Sequence, residues 1–344
     1  MESYVMKTAT SNDDQLIALL TNTAIAVSRY GILVLVILGA VGNTLNIIVF
    51  SQRKLRSSPC TVYFLTSACI DLILTLTIAL PRVLLTYNLD YSAIIGVLCK
   101  MRQFTYYSFS SLSVWMTALT TVDRFLISSP LATRRQMSSF RNTYGLIIAS
   151  CILLTLIFGN LLYCAAIASN GVIIECSIFS GLCGYYNQIA RVLTTLFIPE
   201  TVIVIFSVGM IRNLRSLKAV PNMISNGEHT LGRIRKIDKE LFKLMICQIV
   251  MLTISFLPLG VQRLYALITT NVPKSTLHTT IDGLTDEITS MTARFDNSLS
   301  FYVYLFAGGV LFRETILQWF RRIKRRQTIM PMTATAGFTR ATIN

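Results

Sequence analysis

Charge is scarce in this sequence. Only 14% of its 344 residues are Asp, Glu, Lys or Arg, against about 25% in a soluble domain. A deficit of that size argues against a water-soluble globule and points to a chain whose surface meets lipid. Histidine is nearly absent: His229 and His278 are the two present, and no pair among the eight cysteines has zinc-ligand spacing. A Cys/His metal site is therefore not expected. The two histidines fall in connecting segments on opposite sides of the expected bilayer, and the serines form no nucleophile motif. No Ser–His dyad is thus available within the membrane, and an enzyme is not expected. The sequence has no Asn-x-Ser/Thr sequon, which by itself decides nothing. It shows no internal repeat either, and so lacks the matched halves common in transporters. No cleavable leader is apparent in the polar stretch 1–28, so the first long apolar run is expected to serve as its own insertion signal.

What the sequence does have is a succession of apolar runs. A helix needs about 20 mainly apolar residues to cross a bilayer. Residues 31–50, 104–122, 142–174 and 244–262 carry no charge; 60–81 carries only Asp71, and 192–211 only Glu200. A seventh run, 297–312, is uncharged but short. It must extend upstream through Met291, Arg294, Phe295 and Asp296 to span. Hydropathy alone leaves six or seven spans open.

The basic residues close the count. Arg53, Lys54 and Arg56 follow run one. Arg134, Arg135 and Arg141 follow run three. Arg212, Arg215, Lys218, Arg233, Arg235, Lys236 and Lys239 follow run five, and Arg321, Arg322, Lys324, Arg325 and Arg326 follow run seven. The alternate connections hold Asp90, Glu175, Asp282, Asp286 and Glu287. Lysine and arginine mark the cytoplasmic side. The amino terminus is therefore expected outside and the carboxyl tail inside, which requires an odd number of spans. The net charge of +15 reads as this orientation signal, so no nucleic-acid partner is expected. Phe312, Ile316, Trp319, Phe320 and Ile323 recur at helical spacing with bases on the other face, the pattern of an amphipathic helix lying on membrane lipid. The expected organisation is all-α: an extracellular tail over 1–29, a seven-helix bundle over 30–312, a membrane-surface helix over 313–326, and a flexible cytoplasmic tail over 327–344.

Cys60, Cys69, Cys151, Cys164 and Cys247 lie in or beside the runs and read as free thiols packed as small hydrophobes. Cys99, Cys176 and Cys183 flank the runs. An ionisable residue inside a span is a functional hypothesis by default. Asp71 reads as functional or as a neutral, hydrogen-bonded core group. Glu200, after Pro199, reads equally as a packing group or as a group at the lipid edge.

Several short motifs stand in register with these runs. Gly42-Asn43 lies in run one, Ala68 and Asp71 in run two, and Cys99 and Asp123-Arg124-Phe125 bound run three. Pro199 and Pro258 lie in runs five and six. Arg124 follows Cys99 by 25 residues. In order, spacing and side, these motifs resemble the rhodopsin-like G-protein-coupled receptors over about 30–323, and most resemble invertebrate orphan receptors near the peptide-receptor branch. There are departures. Run four lacks the family's tryptophan. Phe256 stands at the toggle-tryptophan position, Ser207 replaces a usual tyrosine, and Phe301-Tyr302-Val303-Tyr304-Leu305 occupies the place of Asn-Pro-x-x-Tyr.

The resemblance implies a plasma-membrane receptor with an extracellular ligand, a heterotrimeric G protein as partner, and no cofactor beyond a sodium ion. It implies that Asp123 pairs with Arg124 at rest, that Phe125 completes the coupling motif, and that Pro258 is a hinge. Asp238, 20 residues before Pro258, is placed to lock onto Arg124. Asp71, Ser113, Asn297 and Ser298 are the implied sodium ligands. Cys99 is implied to bond Cys176, and Cys183 is disfavoured because it would leave a very short tether before Pro199. Amine receptors carry an aspartate where this chain has Tyr106. Retinal receptors need a lysine in helix seven, and none lies between Lys274 and Lys324. The outer halves offer Arg82, Gln103, Tyr106, Tyr107, Gln262, Arg263 and Arg294. These suit a peptide with polar or acidic groups, although each arginine alone reads equally as a group snorkelling to the surface. A small non-peptide ligand, or a transporter or channel in place of a receptor, is the alternative.

Overall fold

The computed structural model describes the backbone of residues 2–52, 55–85, 87, 95–169, 174–178, 181–218, 228–269, 272–307, 312–314, 316–319 and 321. Side chains are described over the same residues except 2–12, 85, 168–169, 174–175, 177, 214–218, 228–239 and 307.

Seven helical rods form the bundle. The first joins α1 (Glu2–Ala26), a π turn (Val27–Gly31) and α2 (Ile32–Phe50). The second joins α3 (Pro59–Leu74), a π turn (Thr75–Ala79) and α4 (Leu80–Leu85). The third is α5 (Gly96–Ser128), followed by the short α6 (Ala132–Met137). The fourth is α7 (Phe140–Phe158) with α8 (Leu161–Cys164), which leads into an antiparallel hairpin of β1 (Ala165–Ser169) and β2 (Ile174–Ile178). The fifth joins α9 (Leu182–Val192), a π turn (Leu193–Phe197) and α10 (Ile198–Lys218). The sixth is α11 (Glu228–Ile268), and the seventh α12 (Thr276–Ala307).

Local chemistry explains the starts and irregularities. Pro59 opens α3, where its missing N–H is no loss, and the Ser139 hydroxyl accepts from the Asn142 amide at the start of α7. Two π turns end two residues before a proline, Pro81 and Pro199. A proline inside a helix has no amide to donate and crowds the carbonyl four residues back, so the ladder shifts register just upstream. Residues 2–26, expected as a tail, are helical, and α1 packs along α12.

Five rods contain a stretch long and apolar enough to cross a membrane: Asp13–Phe50, Pro59–Leu84, Phe140–Cys164, Leu182–Asn213 and Glu240–Ile268. α5 and α12 are diluted by hydroxyls. Ser108, Ser110, Ser111, Ser113, Thr117, Thr120 and Thr121 are all buried in α5. Some are satisfied locally, as where Thr120 donates to the Met116 carbonyl at 2.8 Å, and others across the bundle, as where Ser111 meets Thr195 at 2.8 Å, whereas the Ser108 hydroxyl has no partner among the described residues. The outer surfaces of the other rods expose Ile37, Val41, Ile152, Leu156, Val204, Ile254 and Val261, a lipid-facing set. Gly42 lets α2 approach α12: a Cβ there would lie 3.1 Å from Phe301 Cβ.

Hydrophobic clusters hold the rods together, two of them around the sixth rod. One lies at the Arg124 end and gathers Phe50, Phe64, Leu241, Leu244, Met245, Phe301, Tyr304 and Phe312. The other gathers Val114, Ala118, Ile203, Leu252, Phe256, Leu259 and Ala293 at mid-depth. Residues 312–314 and 316–319 are helical beyond α12, and Phe312 is fully packed while Leu317 is exposed. The remainder of the expected surface helix, apart from Arg321, and the tail 327–344 lie outside the described residues.

Cys164 corrects a sequence expectation. It is not a free thiol but is bonded to Cys183, and Cys99 is bonded to Cys176. α8 ends the fourth rod directly below the hairpin, which brings Cys164 beside the first turn of α9. Cys60, Cys69, Cys151 and Cys247 take part in neither disulfide.

Candidate functional site

Three polar layers run through the bundle. At one end, Arg124 and Asp123 are each only 4% exposed. The Arg124 guanidinium donates to Asp123 Oδ2 at 3.1 Å and to Ser58 Oγ at 2.9 Å. Ser138 donates to the other Asp123 oxygen at 2.5 Å. Ser58 precedes α3 and Ser138 follows α6, so two connecting segments clasp the pair. Phe125 stacks edge-on with Phe206 at 5.2 Å, and its ring fills the space that a Cβ on Gly209 would need. The side chain of Asp238, and with it the expected lock onto Arg124, lies outside the described residues.

At mid-depth, Asp71 is 3% exposed and is met by hydroxyls on both oxygens: Ser113 at 2.7 Å and Ser67 at 3.3 Å. Thr75 donates to the Asp71 carbonyl at 2.7 Å. Asn297 and Ser298 line an adjoining cavity with Thr75, Tyr106, Ser110 and Arg294, about 360 Å³ in size. Among the described residues no hydrogen bond joins either of them to Asp71. The Asn297 carbonyl instead accepts from Asn43 at 2.8 Å. All the side chains around Asp71 offer oxygen, which is the donor type a hard cation requires. Ser67 and Thr75 were not singled out from the sequence, although their one-turn spacing about Asp71 is a readable signal.

The same layer holds a second acid that the sequence analysis used only to extend a span. Gln248 in α11 donates to Asp296 Oδ1 at 2.9 Å and accepts from the Tyr304 hydroxyl at 2.6 Å. All three are buried, and they tie α11 to α12. Leu305 stands where the family motif would put its tyrosine, but the tyrosine that faces the bundle is Tyr304, one residue earlier. It packs against Phe50, Phe64 and Phe312.

The opposite end is rich in arginine. Arg82 pairs with Glu287, and Arg263 with Asp286 at 3.1 Å. Gln103 donates to the Cys176 carbonyl at 3.0 Å, fixing the hairpin over α5. Gln262 reaches the Asp282 carbonyl at 3.5 Å, and Arg294 donates to the Ser290 carbonyl at 2.9 Å. Arg191, which sequence reasoning missed, donates to the Tyr106 hydroxyl at 2.5 Å. Its guanidinium also lies 4.5 Å from the Tyr106 ring centre and 5.0 Å from that of Tyr107. The seven residues expected to meet a ligand thus all lie at this end, and two cavities among the described residues take up some of them. Tyr107, Arg191 and Arg263 line a cavity of about 460 Å³ with Leu196, Phe256 and Leu259. Tyr106 and Arg294 line the 360 Å³ cavity on the other side.

A bundle with a buried Asp-Arg pair at one end, a mid-depth acid, and cavities lined by arginine, tyrosine and apolar side chains toward the other end has the makings of a coupling face and a binding face. The family described as 7 transmembrane receptor (rhodopsin family) matches residues 42–296, well over half of the chain. The chain belongs to this receptor family. Comparison with individual curated proteins gives no match. As a member of this family the receptor is a multi-pass membrane protein that signals through a G protein in response to an extracellular ligand, and it is not an enzyme.

Proposed function

We propose that the receptor takes a ligand, with a peptide favoured, into the cavities flanking Tyr106 and Tyr107, and that it couples to a heterotrimeric G protein through the face around Arg124. The amino terminus then lies outside the cell. The bias of basic residues toward the connections on the Arg124 side supports that orientation. The observation that carries the coupling reading is the buried Arg124–Asp123 pair. The guanidinium donates to the adjacent Asp123 and to Ser58, and Ser138 holds the other Asp123 oxygen, so movement of the segments that carry the two serines frees the arginine for a partner.

Pro258 supplies the hinge, because α11 lacks one ladder hydrogen bond there. Leu241, Leu244 and Met245 are almost fully buried on the Arg124 side of that hinge. Swinging this half of α11 outward exposes them to a partner helix, and binding of that helix favours the open state by its differential affinity. The Gln248–Asp296–Tyr304 tie resists the swing. Phe256, in the wall of the 460 Å³ cavity, stands less than one helical turn before Pro258 and puts the ligand in touch with the hinge. Asp71, Ser113, Asn297 and Ser298, with Ser67 and Thr75 alongside, are the residues that would hold a sodium ion. Bound there, a cation would neutralise the buried Asp71 carboxylate and favour the closed bundle.

The test is nucleotide exchange on purified G protein by the receptor in lipid nanodiscs. Arg124→Ala is expected to abolish exchange while leaving surface expression intact. Exchange at the unmodified rate would overturn the coupling mode.

A further inference from the structure

Arg191 is 9% exposed and sits where α9 runs into its π turn. Its partners are the hydroxyl and ring of Tyr106 and the ring of Tyr107, none of which is a carboxylate. Arg294, on α12, is placed across Tyr106 and feels the charge of Arg191. Its hydrogen bond goes to a carbonyl of its own helix. The two described acids at this level, Asp286 and Glu287, are engaged by Arg263 and Arg82. Among the described residues, positive charge therefore exceeds negative around Tyr106, in a place where an uncompensated guanidinium is costly. Stacking on two tyrosines offsets part of that cost, since a cation over an aromatic face is attracted by its quadrupole. It leaves the planar fork of N–H donors short of the acceptor it fits best, which is a carboxylate.

The cavity that Arg191 lines is apolar on its other walls, with Val192, Leu196, Phe256 and Leu259. We infer that the receptor's ligand is an apolar carboxylate, with its acid group on Arg191 and its hydrocarbon or aromatic part against Leu196, Phe256 and Leu259. Both a free organic acid and the C-terminal residue of a peptide have this chemistry. The inference rests on the receptor reading and narrows its ligand class. An acid seated there lies beside Arg263 as well, which is held at the same cavity by Asp286. It also competes with the Tyr106 hydroxyl for Arg191, so its arrival loosens a contact between the third and fifth rods.

The experiment uses the full-length receptor in nanodiscs and reads its unfolding temperature against graded concentrations of four probes. These are 5-phenylpentanoate and its amide, and N-acetyl-Leu-Phe as free acid and as amide. At least one acid is expected to stabilise the receptor, and its amide is expected not to. Stabilisation by phenylpentanoate alone marks a free organic acid, by the dipeptide acid alone a peptide terminus, and by both the shared chemistry. R191Q is expected to weaken the effective acid about 10- to 100-fold, as expected for loss of a charge-assisted hydrogen bond. R191K, which keeps the charge but not the fork, is expected to fall between the two. The acid–amide comparison on the unmodified receptor, together with R191K, decides the matter if R191Q does not fold. Equal stabilisation by acid and amide, no stabilisation by any probe, or an acid preference that survives R191Q overturns the inference. Basal nucleotide exchange in the same nanodiscs separates the two readings. Exchange without acid preference sinks only the ligand class, and acid preference without exchange under any condition sinks only the coupling.

Discussion

At the residue scale, the side chains that matter are polar groups enclosed by helices, and each has a definite partner. Gln248 is the clearest, because one amide serves Asp296 with its N–H and Tyr304 with its carbonyl. Gln248→Leu leaves two buried polar groups unpaired, each worth about 1–3 kcal/mol. The unfolding temperature in nanodiscs is expected to fall and basal exchange to rise, since the same change weakens the tie between α11 and α12. A variant of unchanged stability and basal activity would show that the tie carries neither. Asp71 gives a second case. If it holds sodium, replacing choline with sodium raises the unfolding temperature of the receptor, and Asp71→Asn removes that response while keeping the Ser113 and Ser67 partners. A sodium response that persists in Asp71→Asn would place the ion elsewhere.

At the element scale, the two disulfides fix the hairpin from different directions. Cys99–Cys176 closes 77 residues and ties the hairpin to α5, whereas Cys164–Cys183 closes 19 and ties the fourth rod to the fifth. Chain entropy assigns roughly 4.5 and 3.2 kcal/mol to loops of these lengths. Those figures are upper bounds where membrane insertion already restricts the unfolded chain. Cys99→Ser is therefore expected to lower the unfolding temperature more than Cys164→Ser. It should also impair ligand binding more, because Gln103 is bonded to the Cys176 carbonyl. Thermal unfolding of the two variants side by side gives the ranking, and the reverse order would mean that the α8–α9 tie governs this end. The π turns ahead of Pro81 and Pro199 belong to this scale too. They rotate the outer ends of the second and fifth rods, and so help to set where Arg82 and Arg191 point.

At the scale of the whole molecule, the polar layers make sense only if the two faces meet different compartments. Arg212, Arg215 and Lys218 end the fifth rod, and Arg233, Arg235, Lys236 and Lys239 begin the sixth, on the Arg124 side. An epitope fused at the amino terminus is expected to bind antibody on intact cells, and one at the carboxyl terminus only after permeabilisation. The opposite staining would invert the assignment of ligand and coupling faces. α1 extends the first rod well beyond the apolar stretch and packs along α12. The amino-terminal segment thus stands beside the rod that carries Asp286, Glu287 and Arg294.

The sequence by itself determined the class of solvent, the number of rods and the position of the Asp123-Arg124-Phe125 motif. Length, apolarity and basic bias act locally and are visible in a linear reading. The cysteine assignment shows where a linear reading stops. Cys164 looks like any thiol beside an apolar run, and only the turn from α8 into the hairpin brings it against Cys183. Arg191 was passed over for a related reason. It sits just ahead of the apolar run of the fifth rod, and nothing in its neighbours announces that it will lie over Tyr106 and Tyr107, 85 and 84 residues earlier. Tyr304 shows the same limit within one helix. The motif frame put the tyrosine position at Leu305, but which residue faces Gln248 is set by the rotation of α12 against α11. A helix's pattern tells which residues share a face. Which partner that face meets depends on the packing of seven rods at once, and such contacts between distant parts of the chain leave no local trace in the sequence.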